Sequence, residues 1–121
     1  MPDPAIVPKP WGHELIWART ERYVGKLLHI KAGEALSLQY HRVKDETLMV
    51  LRGRMQLVYY GDGEEPRSRV LEPQQPFHVT PGLRHRMIAL DDTDVLEVST
   101  PELDDVVRLE DRYGRQGTSA P

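Results

Sequence analysis

Leu36-Ser37-Leu38-Gln39-Tyr40-His41-Arg42-Val43-Lys44-Asp45-Glu46 is the stretch whose reading decides the fold. Its first six residues alternate as a strand does, so Gln39 and His41, two apart, leave one face of a sheet. A polar turn over Arg42 to Asp45 follows, and Glu46 opens the next strand, where its side chain can return beside that face. Further on, Thr80-Pro81-Gly82-Leu83-Arg84-His85 sets a Pro-Gly turn before a strand and delivers a second imidazole. Two imidazoles, a carboxylate and an amide oxygen make a mixed nitrogen and oxygen set for one divalent ion inside a small β-barrel. Zinc is the first expectation, with iron, manganese, cobalt and nickel as alternatives, and positions are left open for water or substrate. Each of the four residues alone would read as a surface or hydrogen-bonding group; the joint spacing is what points to a metal.

On both sides of this stretch, short runs with β character alternate with turn residues. Strands are expected near 13–18, 23–31, 35–41, 46–52, 54–60, 68–72, 76–80, 84–90 and 94–99. Gly33-Glu34, Arg52-Gly53, Gly61 to Pro66, Pro73 to Pro76, Pro81-Gly82 and Asp91-Asp92 supply the turns. No helical period is sustained over three turns before the C-terminal segment, and the ten prolines add to the case against helices. The expected class is therefore all-β, a sandwich or barrel of many short strands. One domain is expected over 1–115, with a short helical or irregular segment from Glu102 and a disordered tail over 116–121. If Gln39 and His41 point inward, Leu36, Leu38 and Tyr40 point outward. Such an apolar row rarely faces water, so an isologous homodimer through this face is expected ahead of cover by the N-terminal segment.

The 121 residues have room for one domain, and 39% hydrophobic content suffices for a single modest core. A net charge of −3 comes from 16 basic and 19 acidic residues scattered along the chain. With no basic block to track a phosphate backbone, nucleic acid is not an expected partner. No apolar run approaches the roughly 20 residues of a membrane span, and Met1-Pro2-Asp3-Pro4 lacks the basic and apolar regions of a signal peptide, so no membrane partner and a cytoplasmic location are expected. The absence of cysteine excludes disulfides and thiolate ligands, leaving a metal to histidine, carboxylate and amide groups.

The pattern Gly33-x5-Gln39-x-His41-x4-Glu46-x6-Gly53, followed by Gly82-x2-His85, resembles the two-part signature of the cupin superfamily, with Gln39 where many cupins have a first histidine. That resemblance implies a conical β-barrel, the double-stranded β-helix or jelly roll. Within it, the chain is similar to one branch, the C-terminal isomerase domain of the bifunctional mannose-1-phosphate guanylyltransferase/mannose-6-phosphate isomerases. Lys9-Pro10-Trp11-Gly12, the Leu36 to His41 run, Gly82 to Arg86 and the closing Glu110-Asp111-Arg112-Tyr113-Gly114-Arg115 carry this resemblance over residues 9–115. The chain departs from the branch at Arg42-Val43, where two further histidines are usual, at Thr47-Leu48, at Thr80-Pro81-Gly82 and at Ala89. It also lacks a glycine-rich nucleotide loop, so nucleotidyl transfer is not expected of these residues.

The resemblance implies isomerisation of a sugar phosphate such as mannose 6-phosphate, a reaction that needs a polarised carbonyl, a base between adjacent carbons and cations for the phosphate. A divalent ion on Gln39, His41, Glu46 and His85 would meet the first need. Lys26 is the candidate base if it faces inward, with His29 and His78 as weaker candidates. Arg42, Lys44 and Arg84 are candidates for the phosphate, and Arg115 for closing the barrel mouth or bridging to Asp104, Asp105 or Glu110. Trp11 and Trp17 suit either sugar stacking or the core. Two rival readings share the metal ligands: a metal-dependent dioxygenase or lyase, favoured by an aromatic pocket without a cation, and a non-catalytic sugar-binding or small-acid-binding module, favoured by a metal without a base.

Overall fold

A computed structural model describes residues 3–63 and 65–118. Twelve strands are formed among them: β1 Ala5–Lys9, β2 Gly12–Arg19, β3 Val24–Ile30, β4 Leu38–Tyr40, β5 Glu46–Arg52, β6 Met55–Tyr60, β7 Arg67–Leu71, β8 Pro76–Val79, β9 Arg84–Ala89, β10 Thr93–Ser99, β11 Val107–Glu110 and β12 Gly117–Thr118. They build two antiparallel sheets, in the orders β1-β2-β3-β10-β5-β8 and β12-β11-β4-β9-β6-β7. From β4 onward the chain passes between the sheets at almost every turn. That wrapping is what brings residues 41, 46 and 85 to one place inside the barrel. No helix occurs among the described residues, and none is long and apolar enough to cross a membrane.

The strands expected from the sequence form, but three more do as well. Ala5–Lys9 pairs with β2, and the segment from Glu102, expected to be helical or irregular, runs irregularly to Val106 and then pairs with β4 as β11. Without β11, the three-residue β4 would present an open edge, and pairing Val107 with Tyr40 and Arg108 with Gln39 satisfies its backbone. Of the expected tail 116–121, Gly117 and Thr118 pair with β11, while 119–121 lie outside the described residues.

Between the sheets lies a dry core that includes Leu28, Ile30, Leu48, Val50, Met55, Leu57, Val79 and Val95, all buried. Leu36 joins this core and does not point outward as parity suggested. The parity argument assumed an unbroken strand over 35–41, whereas β4 begins only at Leu38 and Ala35 makes a lone bridge to Ile88. Leu38 is buried within the single chain too. Arg86 on β9 and Glu110 on β11 stand either side of β4 and bridge across it at 3.7 Å, with Arg86 also donating to the Leu36 carbonyl. The expected apolar row is thus reduced, and mostly sealed by its own chain.

Two glycines are required by space. Gly53 turns β5 into β6 at φ +85°, and a Cβ there would stand 2.4 Å from the Asp92 carbonyl oxygen. Gly12, closing the Lys9-Pro10-Trp11-Gly12 turn, lies so close to β3 that a Cβ would meet the His29 carbonyl oxygen at 1.8 Å.

Candidate metal centre and its cavity

His41 follows directly after β4, Glu46 opens β5 and His85 is the second residue of β9. All three side chains are buried, and their ligand atoms lie within 4.8 Å of one another. Glu46 Oε1 is 2.8 Å from His41 Nε2 and 3.6 Å from His85 Nε2. The other ring nitrogen of each histidine faces a backbone carbonyl: His41 Nδ1 lies 2.6 Å from Asp105 O, and His85 Nδ1 lies 2.9 Å from Leu83 O. A carbonyl can only accept, so both Nδ1 atoms carry protons, and neutral rings would then turn Nε2 lone pairs toward Glu46.

This arrangement tests whether a metal fits. His85 Nε2 and Glu46 Oε2 are buried and have no hydrogen-bond partner, and His41 Nε2 faces a carboxylate. Converging acceptors in a dry site need a proton or a cation between them, and histidines fixed by backbone carbonyls are oriented as metal-binding histidines commonly are. A divalent ion fits. Gln39 pairs directly with His85 across β4 and β9, so it shares the inward face and lines the same cavity; its Oε1 accepts from Ser37 Oγ at 2.7 Å.

Asp105 shapes the turn that separates two of these residues. Its carboxylate accepts the backbone N–H groups of Arg42, Val43 and Lys44 at 2.9, 2.7 and 2.8 Å. Burial pushes its pKa up, but those three donors outweigh the burial and hold it below the usual range. The peptide of Asp105 therefore fixes the His41 ring while its side chain fixes the turn leading to Glu46.

A ribbon of alternating charge runs from the cluster into the cavity. Lys44 is buried, with Nζ 3.6 Å from Glu46 Oε2 and 3.5 Å from Glu97 Oε2. Burial opposes its charge, yet Glu97, Glu46 and Glu14 together raise its pKa. Burial and the charge of Glu46 push Glu97 up to about 7, against Lys44 and Lys26. Glu97 sits opposite Lys26 across β10 and β3, and Lys26 Nζ is 3.3 Å from Glu14 Oε1. Burial would raise the pKa of Glu46 as well, but hydrogen bonds from His41 and His85 when their rings are protonated, and the charge of Lys44, outweigh it and hold the group well below the carboxylate range.

The cavity beside His41 is lined by Gln39, Lys26, Glu14, Lys44 and Glu97, and also by Lys9, Arg108 and Arg115. Of the expected site residues, the structure brings Gln39, His41, Lys26, Lys44 and Arg115 to it, and places Glu46 and His85 beside them. Arg42 is exposed on the turn, and Arg84 lies on the outer face with its guanidinium 4.5 Å from the Tyr60 ring centre. Neither lines the cavity. Lys44, expected as a candidate for the phosphate from the turn, is folded inward because Glu46 and Glu97 flank it. Arg115 pairs with Asp111 through Nε at 2.9 Å, a partner other than the three considered from sequence. Trp11 is buried at the cavity wall, whereas Trp17 is half exposed and lies over Gly25.

Glu14, Glu97 and Arg108 were not singled out from sequence, Lys9 was read only as the first residue of the Lys9-Pro10-Trp11-Gly12 run, and Asp105 only as a possible partner of Arg115. For Glu97 a signal existed: Thr93, Val95 and Ser99 share its inward parity, while Leu96 and Val98 face out, an inverted polarity that marks a functional strand. Arg108 and Lys9 were lost because β11 and β1 were not expected. Nothing in the sequence announces that Asp105 caps a turn 60 residues earlier.

The family model described as mannose-6-phosphate isomerase C-terminal matches residues 4–111. Curated relatives include the mannose-1-phosphate guanylyltransferase ManC of Salmonella typhimurium, 34% identical over 88% of this chain and 22% of its own length. The xanthan biosynthesis protein XanB of Xanthomonas campestris is 32% identical over 88% of this chain and 23% of its own. The chain thus spans under a quarter of the length of these relatives. Among solved structures, oxalate decarboxylase of Bacillus subtilis superposes with a TM-score of 0.76 at 13% identity, covering 88% of this chain and 30% of that one. The capsular polysaccharide assembling protein CapF of Staphylococcus aureus gives 0.73 at 18% identity over 88% and 34%.

Proposed function

Because the chain belongs to the mannose-6-phosphate isomerase C-terminal family and folds as a cupin, we propose that it is a metal-dependent isomerase domain interconverting an aldose 6-phosphate and its ketose. The observation that carries this reading is one cavity in which the His41, Glu46 and His85 cluster adjoins a buried carboxylate–ammonium pair, Glu14 and Lys26. A cavity with a metal site, cations and a proton acceptor supports an isomerase over an oxygenase or a passive binder.

His41, Glu46 and His85 would hold the ion, with Gln39 beside them, and the ion would polarise the carbonyl and hydroxyl oxygens of the substrate. The chain's own residues move the protons. In an ion pair the carboxylate retains the lone pairs, so Glu14 takes the proton from C2 of the aldose and returns it to C1. Lys26, expected as the base, serves instead as the cation that orients Glu14 and offsets charge on the enediol. The hydroxyl proton passes from O2 to O1, so atoms and electrons balance without a co-reactant. A homodimer through what remains of this face around the half-buried Tyr40 belongs to this reading and is tested by sedimentation of wild-type protein.

The experiment is NMR of mannose 6-phosphate and fructose 6-phosphate in heavy water with zinc-, cobalt- or manganese-loaded protein. Turnover with deuterium entering at the carbon next to the carbonyl is expected, and Glu14→Gln should abolish it while leaving metal content unchanged. Oxygen consumption without turnover of any common sugar phosphate would contradict the reading.

A further inference from the structure

The two sheets differ on their outer faces. On the sheet that holds β4, rows read across the strands mix polar with apolar side chains: Arg86, Val58 and Ser68 stand in register, and Ile88, Gln56 and Val70 form the next row. On the other sheet one row crosses all six strands without a polar side chain. Ile6 on β1 pairs with Leu15 on β2, Leu15 with Leu27 on β3, Leu27 with Leu96 on β10, Leu96 with Met49 on β5, and Met49 with Pro76 on β8. Their strand neighbours Leu28, Val95, Leu48 and Val50 enter the dry core, so alternation sends this row to the outside of the barrel. The four central side chains are half-buried, and Ile6 and Pro76 at the ends are exposed.

The margins of the row continue the pattern. Trp17 is the extra residue where the pairing of β2 with β3 shifts register, and its ring lies across Gly25, where a Cβ would stand 2.7 Å from it. Val98, in register with Gly25, is exposed beside that ring. On the other margin Asp94 pairs with both His29 and Arg52, so this flank carries its charges neutralised within the chain and does not repel a copy of itself. Scattered apolar side chains are ordinary on a surface, whereas a continuous row with a half-exposed tryptophan at its border has the composition of an interface core.

We propose that this face docks a second copy of the chain in an isologous dimer, sheet against sheet. The row is close to self-complementary: a two-fold axis along the strands, between β3 and β10, lays Leu27 on the partner's Leu96, Leu15 on the partner's Met49 and Ile6 on the partner's Pro76. Six strands and three rows of side chains make a face of roughly 600 Å², which with its rim approaches the roughly 800 Å² per partner of a stable interface. Around Tyr40, by contrast, Leu36 and Leu38 are already covered by their own chain, so the dimer contact moves to the opposite sheet. The proposal does not depend on the isomerase reading. The covered strands β3, β10 and β5 carry Lys26, Glu97 and Glu46 on their inner sides, so the contact braces the cavity from behind.

Sedimentation equilibrium of the full chain tests this, with circular dichroism as the control for folding. Wild-type protein should be a dimer. Val98→Lys, at an exposed position on the border of the row, should raise the dimer dissociation constant about thirtyfold, and Leu96→Lys, at its centre, should raise it further. Tyr40→Glu, on the other sheet, should leave it unchanged. If Leu96→Lys does not fold, Val98→Lys decides alone. A monomeric wild-type chain, a folded Val98→Lys variant that dimerises as wild type does, or a dimer lost only in Tyr40→Glu would overturn the proposal, the last by returning the contact to the Tyr40 face.

Discussion

The two ends of the barrel interior are built from the same strands to opposite purposes. On β5, Glu46 opens the strand at the charged end, while Leu48 and Val50, two and four residues on, lie in the dry core. On β3 the same switch occurs between Lys26 and the pair Leu28 and Ile30, and on β10 between Glu97 and Val95. Parity is kept along each strand and only the chemistry changes, at nearly the same level across the sheet. The apolar end supplies burial that holds the barrel. The charged end forgoes that burial and is kept only because each charge has an opposite neighbour, which is the arrangement expected of a site rather than of a scaffold.

The largest effect should come from breaking the charge ribbon. Lys44→Met would leave Glu46 and Glu97 buried against each other, costing about 3–5 kcal/mol by urea unfolding, and Lys44→Met combined with Glu97→Gln should recover part of the loss. Additive losses in the double variant would show that the ribbon is not a coupled unit. In the apolar half, Leu57→Ala, at a fully buried position on β6, should cost about 2–5 kcal/mol while leaving metal content per folded chain unchanged. A loss of metal there would mean the two ends are not separable.

Gly53→Ala sharpens the comparison from the turn that joins β5 to β6. A Cβ at φ +85° and 2.4 Å from the Asp92 carbonyl should cost about 1–3 kcal/mol, read as a lower thermal midpoint. The smallest effect concerns the outer face. Asp94 accepts from His29 Nδ1 at 2.7 Å and from Arg52 Nε at 2.8 Å; burial pushes its pKa up, but these donors prevail and lower it. A carboxyl depressed in the folded state stabilises above its unfolded pKa, about 3.9, and that stability is lost as pH falls through the folded value. The thermal midpoint of Asp94→Asn should therefore lie below that of wild type at neutral pH, and the gap should close below about pH 3.9. A gap that persists in acid would assign the effect to packing.

The sequence carried the strands and the convergence of His41, Glu46 and His85 because both rest on local rules. Two-residue alternation put Gln39 and His41 on one face, and Pro81-Gly82 marked the turn before His85. What local rules do not contain was missed. β11 reads as a polar tail until β4 is seen to need a neighbour, and with β11 went Arg108. Lys44 reads as a turn lysine because its burial depends on Glu97, distant in sequence. Leu36 was set outside because alternation was carried two residues past the true start of β4. Inverted polarity on β10, with Glu97 inside and Val98 out, was legible and would have found one more cavity residue.

Metal stoichiometry tests the account most directly. Elemental analysis should find one divalent ion per wild-type chain after loading and dialysis, and His41→Ala and His85→Ala, folded by circular dichroism, should lose it. A wild-type chain that retains no ion, or variants that retain as much as wild type, would contradict a metal centre at His41, Glu46 and His85.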